Sequence, residues 1–171
     1  MNVKFLNPFI EAAFEVLKAE AGIDAERGPL GLDQNEYKTD DITVIIALVG
    51  AVEGTVYFGM SNNTAIQLVS KMIGENITSF NNLAQSGIAE LGNVITGRAS
   101  VKLSISGYEV TISPPTLLLG KGATISTLDF ARIVVPVNFN DMSINIHLAL
   151  REGRLKGQTT AQIPIPVKPS Y

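Results

Sequence analysis

The 171-residue chain contains no cysteine and a single histidine. The first absence removes disulfide scaffolds, thiolate zinc sites, iron–sulfur clusters and cysteine nucleophiles, and the second leaves no imidazole cluster for a transition metal. Charge is also scarce. Only 17% of residues are charged, thirteen Lys+Arg against sixteen Asp+Glu, for a net charge of −3 and a pI near 5.1. The basic residues fall singly along the chain, so a nucleic-acid partner, which needs clustered cations, is not expected. Long apolar runs are lacking as well: the longest, Ile42 to Val52, has eleven residues, against roughly 20 for a bilayer-spanning helix. No basic stretch followed by an unbroken apolar segment opens the chain, so neither a secretory signal nor a membrane association is expected, and the expected location is cytoplasmic. The Asn-x-Thr triplets at Asn62 and Asn76 are then chance matches to a glycan acceptor. No Gly-x-Ser-x-Gly or Ser-x-x-Lys pattern supports serine-hydrolase chemistry.

What is present is apolar content, 46% of the residues, enough for one hydrophobic core in one domain of this length. That domain is expected over residues 1–156. A tail over 157–171 contains Pro164, Pro166 and Pro169, which remove ladder donors and favour extended polyproline geometry.

Turn and cap signals divide the rest. Asn7-Pro8 followed by Phe9, Ile10, Ala13, Phe14 and Leu17, with Gly22 as a stop, predicts an amphipathic helix over 8–21. Residues 23–40 read as an irregular link with one short strand, and 42–48 and 54–60 as a hairpin. Ser61 to Thr64 supply caps for a second helix closed by Gly74, and a third, unusually long, is predicted from 81 to about 103. Strands are then expected over 109–112, 123–128, 133–139 and 143–150. The order α–ββ–αα–ββββ lacks strict alternation. It predicts a two-layer α/β (α+β) domain with a largely antiparallel sheet and helices packed on one face.

The long helix carries the informative pattern. On a wheel at about 100° per residue, Ala84, Leu91, Ile95 and Ala99 fall within about 40° of Ile88 and form a buried stripe. Ser86, Glu90, Asn93 and Gly97 occupy a sector of about 60° on the opposite side, with Ser100 at its edge. Glu90 and Asn93, at i and i+3, point the same way. A merely solvated face would be built from good helix formers, yet Gly92, Asn93, Thr96 and Gly97 are poor ones, Gly by about 1 kcal/mol each. Small residues around one carboxylate and one amide would let another molecule's backbone approach closely, with Asn93 able both to donate and to accept.

Ser86-x-x-x-Glu90-Leu91-Gly92-Asn93-Val94-Ile95-x-Gly97, followed by Gly107-Tyr108 and by Ile112-Ser113-Pro114-Pro115-Thr116 with Gly120, resembles the CheC/CheX/FliY group of chemotaxis phosphatases, and most of all its CheX branch. The resemblance spans about residues 5–150. It implies hydrolysis of the phosphoaspartate of a CheY-like response regulator, with Glu90 pairing with a lysine of the regulator and Asn93 orienting the attacking water. Ser86, Gly97 and Ser100 would face the partner. It implies no cofactor or metal of the chain's own, the Mg²⁺ belonging to the regulator's receiver domain. CheC-type members carry a second Glu-x-x-Asn on the first helix, where this chain reads Glu11-Ala-Ala-Phe14 and Glu15-Val-Leu-Lys18, so one site per chain is implied. The alternative function is a non-catalytic module that docks on a receiver domain or flagellar switch component through the same helix. Asn93 speaks for catalysis, because a docking helix has no reason to prefer it over a better helix former.

Three other features carry bland expectations. Alternation along Ser143–Leu150 places His147 with the polar set, predicting a surface or interface histidine. Gly120-Lys121-Gly122 reads as a turn and Asp40-Asp41 as a solvated turn rather than half of a metal site. The low charge and a mean hydropathy of +0.24 suggest a homodimer, with an interface on the late strands 133–139 or 143–150.

Overall fold

A computed structural model describes residues 3–34, 36–127 and 131–153. Three helices lie on one face of an antiparallel sheet, as the order of elements predicts. Helix α1 (Leu6–Ala21) follows a 3-10 turn at Val3–Phe5 and ends on Gly22, whose left-handed φ of 64° returns its N–H to the last turn. Its start differs from expectation. Phe5, not Asn7, stands at the N-cap without a side-chain bond, because burial of Phe5, Leu6 and Phe9 in the core fixes the entry of the chain. Helix α2 (Asn62–Ile73) is capped by Ser61, whose hydroxyl accepts from the Thr64 N–H at 3.1 Å. Helix α3 (Asn82–Ile105) is capped by Asn81, whose side-chain oxygen accepts from the Ala84 N–H at 3.0 Å. Both are the expected N-terminal devices.

The link before the hairpin holds three short strands rather than one: β1 (Glu26–Arg27), β2 (Gly31–Asp33) and β3 (Tyr37–Lys38). The hairpin is β4 (Ile42–Gly50) and β5 (Val52–Met60). After α3 come β6 (Val110–Ile112), β7 (Thr116–Leu119), β8 (Thr124–Ile125), β9 (Arg132–Phe139) and β10 (Met142–Glu152). Strand β7 is not predicted: Pro114-Pro115 interrupt the pattern, yet Thr116–Leu119 pair with Ile42–Ile45 immediately beyond them. The expected strand over 123–128 shrinks to two residues, and its last position lies outside the described residues, as does the proposed tail over 157–171.

The main sheet runs β1-β9-β10-β5-β4-β6, with β2 also on β9 and β7 also on β4, all antiparallel. Ile42, Val44, Ile46 and Leu48 of β4, Val56 and Phe58 of β5, Val135 and Val137 of β9, and Ile146 and Leu148 of β10 face the helices and are buried with them in one core. The pair β3–β8 forms a second small sheet. It covers part of the far face, where Tyr37, Tyr57 and Ala149 make a separate apolar cluster with Ile45 and Ile125 packed against it.

Candidate functional site

Helix α3 seats itself by the predicted stripe. Ala84, Ile88, Leu91, Ile95 and Ala99 are all buried. Two of the four poor helix formers belong to this inward side. A Cβ at Gly92 would lie 2.9 Å from Val44 Cγ1 and 3.4 Å from Phe58 Cδ2, so this glycine sets how closely α3 sits on β4 and β5. Thr96 is fully buried and donates its hydroxyl to the Gly92 carbonyl at 2.8 Å. Packing accounts for these two, and the expectation that the whole stretch serves an approaching partner narrows to Asn93 and Gly97.

The outward side is built as the wheel predicts. Ser86 and Glu90 are exposed, and Asn93, Gly97 and Ser100 half-buried. Neither Glu90 nor Asn93 has a side-chain hydrogen bond or ion pair with any other described residue. A carboxylate and an amide one turn apart thus present their full polar capacity outward. At Gly97 a Cβ would meet nothing nearer than Ile112 Cδ1 at 4.0 Å. No neighbour demands this glycine, and its absence of a side chain leaves an open gap beside Asn93. The Ser100 hydroxyl is engaged, donating to the Gly97 carbonyl at 2.7 Å. Strands β6 and β7, with Pro114-Pro115 between them, pack along the same helix.

The acidic residues of α1 are placed differently. Lys102 on α3 reaches Glu11 at 3.0 Å and Glu15 at 2.7 Å, and Arg98 lies 3.5 Å from Glu15. The Lys102 hydrogen bond holds the Glu15 carboxyl below its ordinary pKa. These carboxylates tie the two helices together and do not form a second unpartnered pair. An open groove of about 600 Å³ between the start of α1 and the end of α3, lined by Lys4, Glu11, Lys102, Ile105 and Tyr108 among others, lies away from Glu90.

Outward aliphatic residues complete the α3 face: Leu83, Val101 and Ile105 are 54%, 57% and 82% exposed. Their signal is present in the sequence, since Val101 and Ile105 continue the Asn93–Gly97 side at i+4 steps. It is masked because aliphatic residues on a helix are ordinarily assigned to the core.

Two of the bland expectations are corrected. His147 does lie on the far side of the sheet, but that side is not solvent: the β3–β8 pair covers it, the Tyr37 ring sits 4.2 Å from the imidazole centroid, and only 7% of the residue is exposed. Burial, aided by the nearby Arg132 guanidinium and opposed by Asp33, pushes its pKa down to about 4. The Asp40-Asp41 turn is structural rather than merely solvated. Asp41 accepts the Asn62 N–H at 2.9 Å, and burial raises the pKa of Asp40, which packs over Gly59 beside Tyr37. Gly120-Lys121-Gly122 is the expected turn, with both glycines at positive φ. No group of three or more His, Cys, Asp or Glu among the described residues is arranged to hold a metal ion. No helix among them is long and apolar enough to cross a membrane.

An antiparallel α+β two-layer domain with an unpartnered carboxylate–amide pair on the outward face of its longest helix is the class that the fold and the site define. Comparison with known proteins makes the class specific. The family model described as chemotaxis phosphatase CheX matches residues 42–138, and the chain belongs to that family. The CheY-P phosphatase CheX of Thermotoga maritima is 27% identical over 155 residues, covering 90% of this chain and 99% of that one. Among solved structures, a CheC-like superfamily protein from Shewanella sp. PV-4 superposes with a TM-score of 0.80 at 28% identity, over 88% of this chain and 99% of the other. The CheX–CheY–BeF3–Mg²⁺ complex from Borrelia burgdorferi gives a TM-score of 0.77 at 28% identity, over 88% and 100%.

Proposed function

We propose that this protein dephosphorylates the aspartyl phosphate of a CheY-like response regulator, with Glu90 docking the regulator and Asn93 positioning the attacking water. One observation carries the reading: Glu90 and Asn93, adjacent on one helix face, have no side-chain partner among the described residues. The similar Thermotoga protein is a CheY-P phosphatase, and the similar Borrelia protein was captured with CheY and Mg²⁺. Attack by water oxygen on phosphorus breaks the bond to the aspartate oxygen and yields inorganic phosphate and the free carboxylate. Such a reaction asks the catalyst mainly for positioning and charge stabilisation. The Asn93 carboxamide suits positioning, since its oxygen accepts from water while its NH₂ donates to a phosphoryl oxygen. Glu90, the one charge in its sector, suits a cation at the regulator's site. Mg²⁺ would be held by the receiver domain, and this chain's residues would act on the water and the partner.

In this reading the protein is cytoplasmic and works as a homodimer. Contact through the late strands would use their far face, at partly exposed Val134, Pro136 and Asn145. Strand β10 has no free edge, lying between β9 and β5, and the other edge of β9 is taken by β1 and β2.

The deciding experiment measures phosphate release from phosphorylated receiver domains with and without the protein. Acceleration that depends on Asn93 is expected. Binding without acceleration would leave the docking module as the function.

A further inference from the structure

Helix α3 carries exposed aliphatic residues on its outward side as well as its polar sector. Its inward stripe is the core, and its outward side carries Leu83, Val101 and Ile105, all exposed, with Val94 half-buried between them. Exposed aliphatic residues gathered on one helix ridge beside a polar site are what an interaction surface looks like. The two neighbouring helices are more polar outside: α1 turns Glu11, Glu15, Lys18 and Glu20 outward, and α2 turns out Asn63, Gln67 and Lys71, with one exposed aliphatic, Ile73, at its last position. On α3 the corresponding ridge has Glu90 as its single charge, with Arg98 at its margin leaning toward Glu15 of α1.

The ridge continues directly from the Glu90–Asn93 pair. Val94 follows Glu90 by one turn, Gly97 opens a gap beside Asn93, and Val101 and Ile105 follow Gly97 at i+4 steps. From Glu90 to Ile105 the ridge extends about 22 Å at 1.5 Å per residue, the scale of a folded domain rather than of a small metabolite. A domain that brings a phosphorylated aspartate to Asn93 is wide enough to reach Val101, about 12 Å further along the helix. Complementarity points the same way. In the phosphatase reading Glu90 meets a cation of the partner, and burying the remaining surface costs least where the ridge is uncharged.

We propose that Val101 and Ile105 are the apolar anchors on which the phosphorylated receiver domain seats, fixing affinity and choice of partner while Asn93 governs turnover. This rests on the phosphatase reading above. A few well-buried side chains commonly dominate a protein interface, and exposed aliphatics next to a reactive centre are suited to that role.

The test compares wild type with the Val101→Ala/Ile105→Ala double variant, which keeps helix propensity and touches no core position. Steady-state phosphate release from a phosphorylated receiver domain is expected to show KM raised about tenfold or more, with kcat within about twofold of wild type. Leu32→Ala, removing an equally exposed aliphatic on β2 at the opposite edge of the sheet, should change neither. An unchanged KM in the double variant, or a fall in kcat alone, overturns the proposal while the phosphatase reading stands. So does dissociation of a dimer by the double variant at unchanged KM, which would make the ridge a self-association surface. If wild type releases no phosphate, the phosphatase reading fails separately, and titration with a beryllofluoride-loaded receiver domain decides the ridge. A weaker Kd for the double variant supports it, and an equal Kd or no binding by wild type overturns it.

Discussion

Helices α1 and α3 lie side by side on the same face of the sheet, yet their acidic residues have opposite fates. On α1, Glu11 and Glu15 are spent on Lys102 and Arg98 across the helix pair. On α3, Glu90 stands beside Asn93 with no partner among the described residues. Both helices bury an aliphatic stripe. The difference is that one has its polar groups satisfied within the fold, and the other presents them to whatever docks. Satisfied groups hold a structure together, and unsatisfied, exposed ones beside small residues are what a partner can use.

The largest expected effect breaks this contrast at α3. Asn93→Ala should lower phosphatase turnover by about 10²-fold or more while leaving thermal unfolding and partner binding nearly unchanged, since only a water-positioning group is lost. Glu15→Gln, on the neighbouring helix, should leave turnover where it was. A fully active Asn93→Ala protein would show that the bare pair is ordinary surface.

Next comes a third environment, the covered far face. The unfolded chain takes up a proton at His147 near pH 6.5, whereas the folded imidazole resists until about pH 4. The unfolded state therefore binds more protons between these values, and stability is full above pH 6.5 and falls as pH drops through the window. Between pH 7 and pH 5 the loss should reach about 2 kcal/mol. Urea unfolding at the two pH values would register it, and in a His147→Leu variant most of that slope should vanish. Equal slopes in the two proteins would place the titrating group elsewhere.

A smaller pair of effects divides α3 itself. At Gly92 an added methyl meets Val44 Cγ1 at 2.9 Å. Overpacking of about 1–3 kcal/mol then outweighs the roughly 1 kcal/mol of helix propensity gained, so Gly92→Ala is expected to destabilise by about 1 kcal/mol. Gly97→Ala meets only open space and should stabilise by up to about 1 kcal/mol, at the expense of partner affinity. Paired melting curves and binding titrations would show opposite signs of stability change. The smallest expected effect is none at all: calorimetric titration of Mg²⁺ into the protein alone should give no specific binding, whereas chelation in the receiver-domain assay should abolish turnover. Tight Mg²⁺ uptake by the isolated chain would instead favour a metallophosphatase.

Several elements were legible because their causes are local. Ser61 and Asn81 are cap residues wherever they stand before a helical pattern, and Gly22 and Gly74 stop helices by a left-handed φ that a Cβ disfavours. The inward stripe of α3 and the outward position of Ser86, Glu90, Asn93, Gly97 and Ser100 follow from 3.6 residues per turn alone.

Other features depend on what lies opposite, which periodicity does not contain. Alternation correctly assigns His147 to the far side of β10. Whether that side meets water depended on β3 and β8, two-residue strands separated by some 86 positions and joined only after the main sheet brings them together. Gly92 and Gly97 are the same residue five positions apart, one chosen because Val44 crowds it and the other standing over an open gap. Strand β7 forms because β4 offers an edge beyond the two prolines. By itself the sequence determined the three helices, the N-caps of α2 and α3, the two-layer antiparallel class and the direction in which Glu90 and Asn93 point, since each follows from dihedral preference and helical or strand period. Only the tertiary structure decided which carboxylates are neutralised, which glycine is packed and which histidine is dry, because burial and pairing are properties of the space between elements.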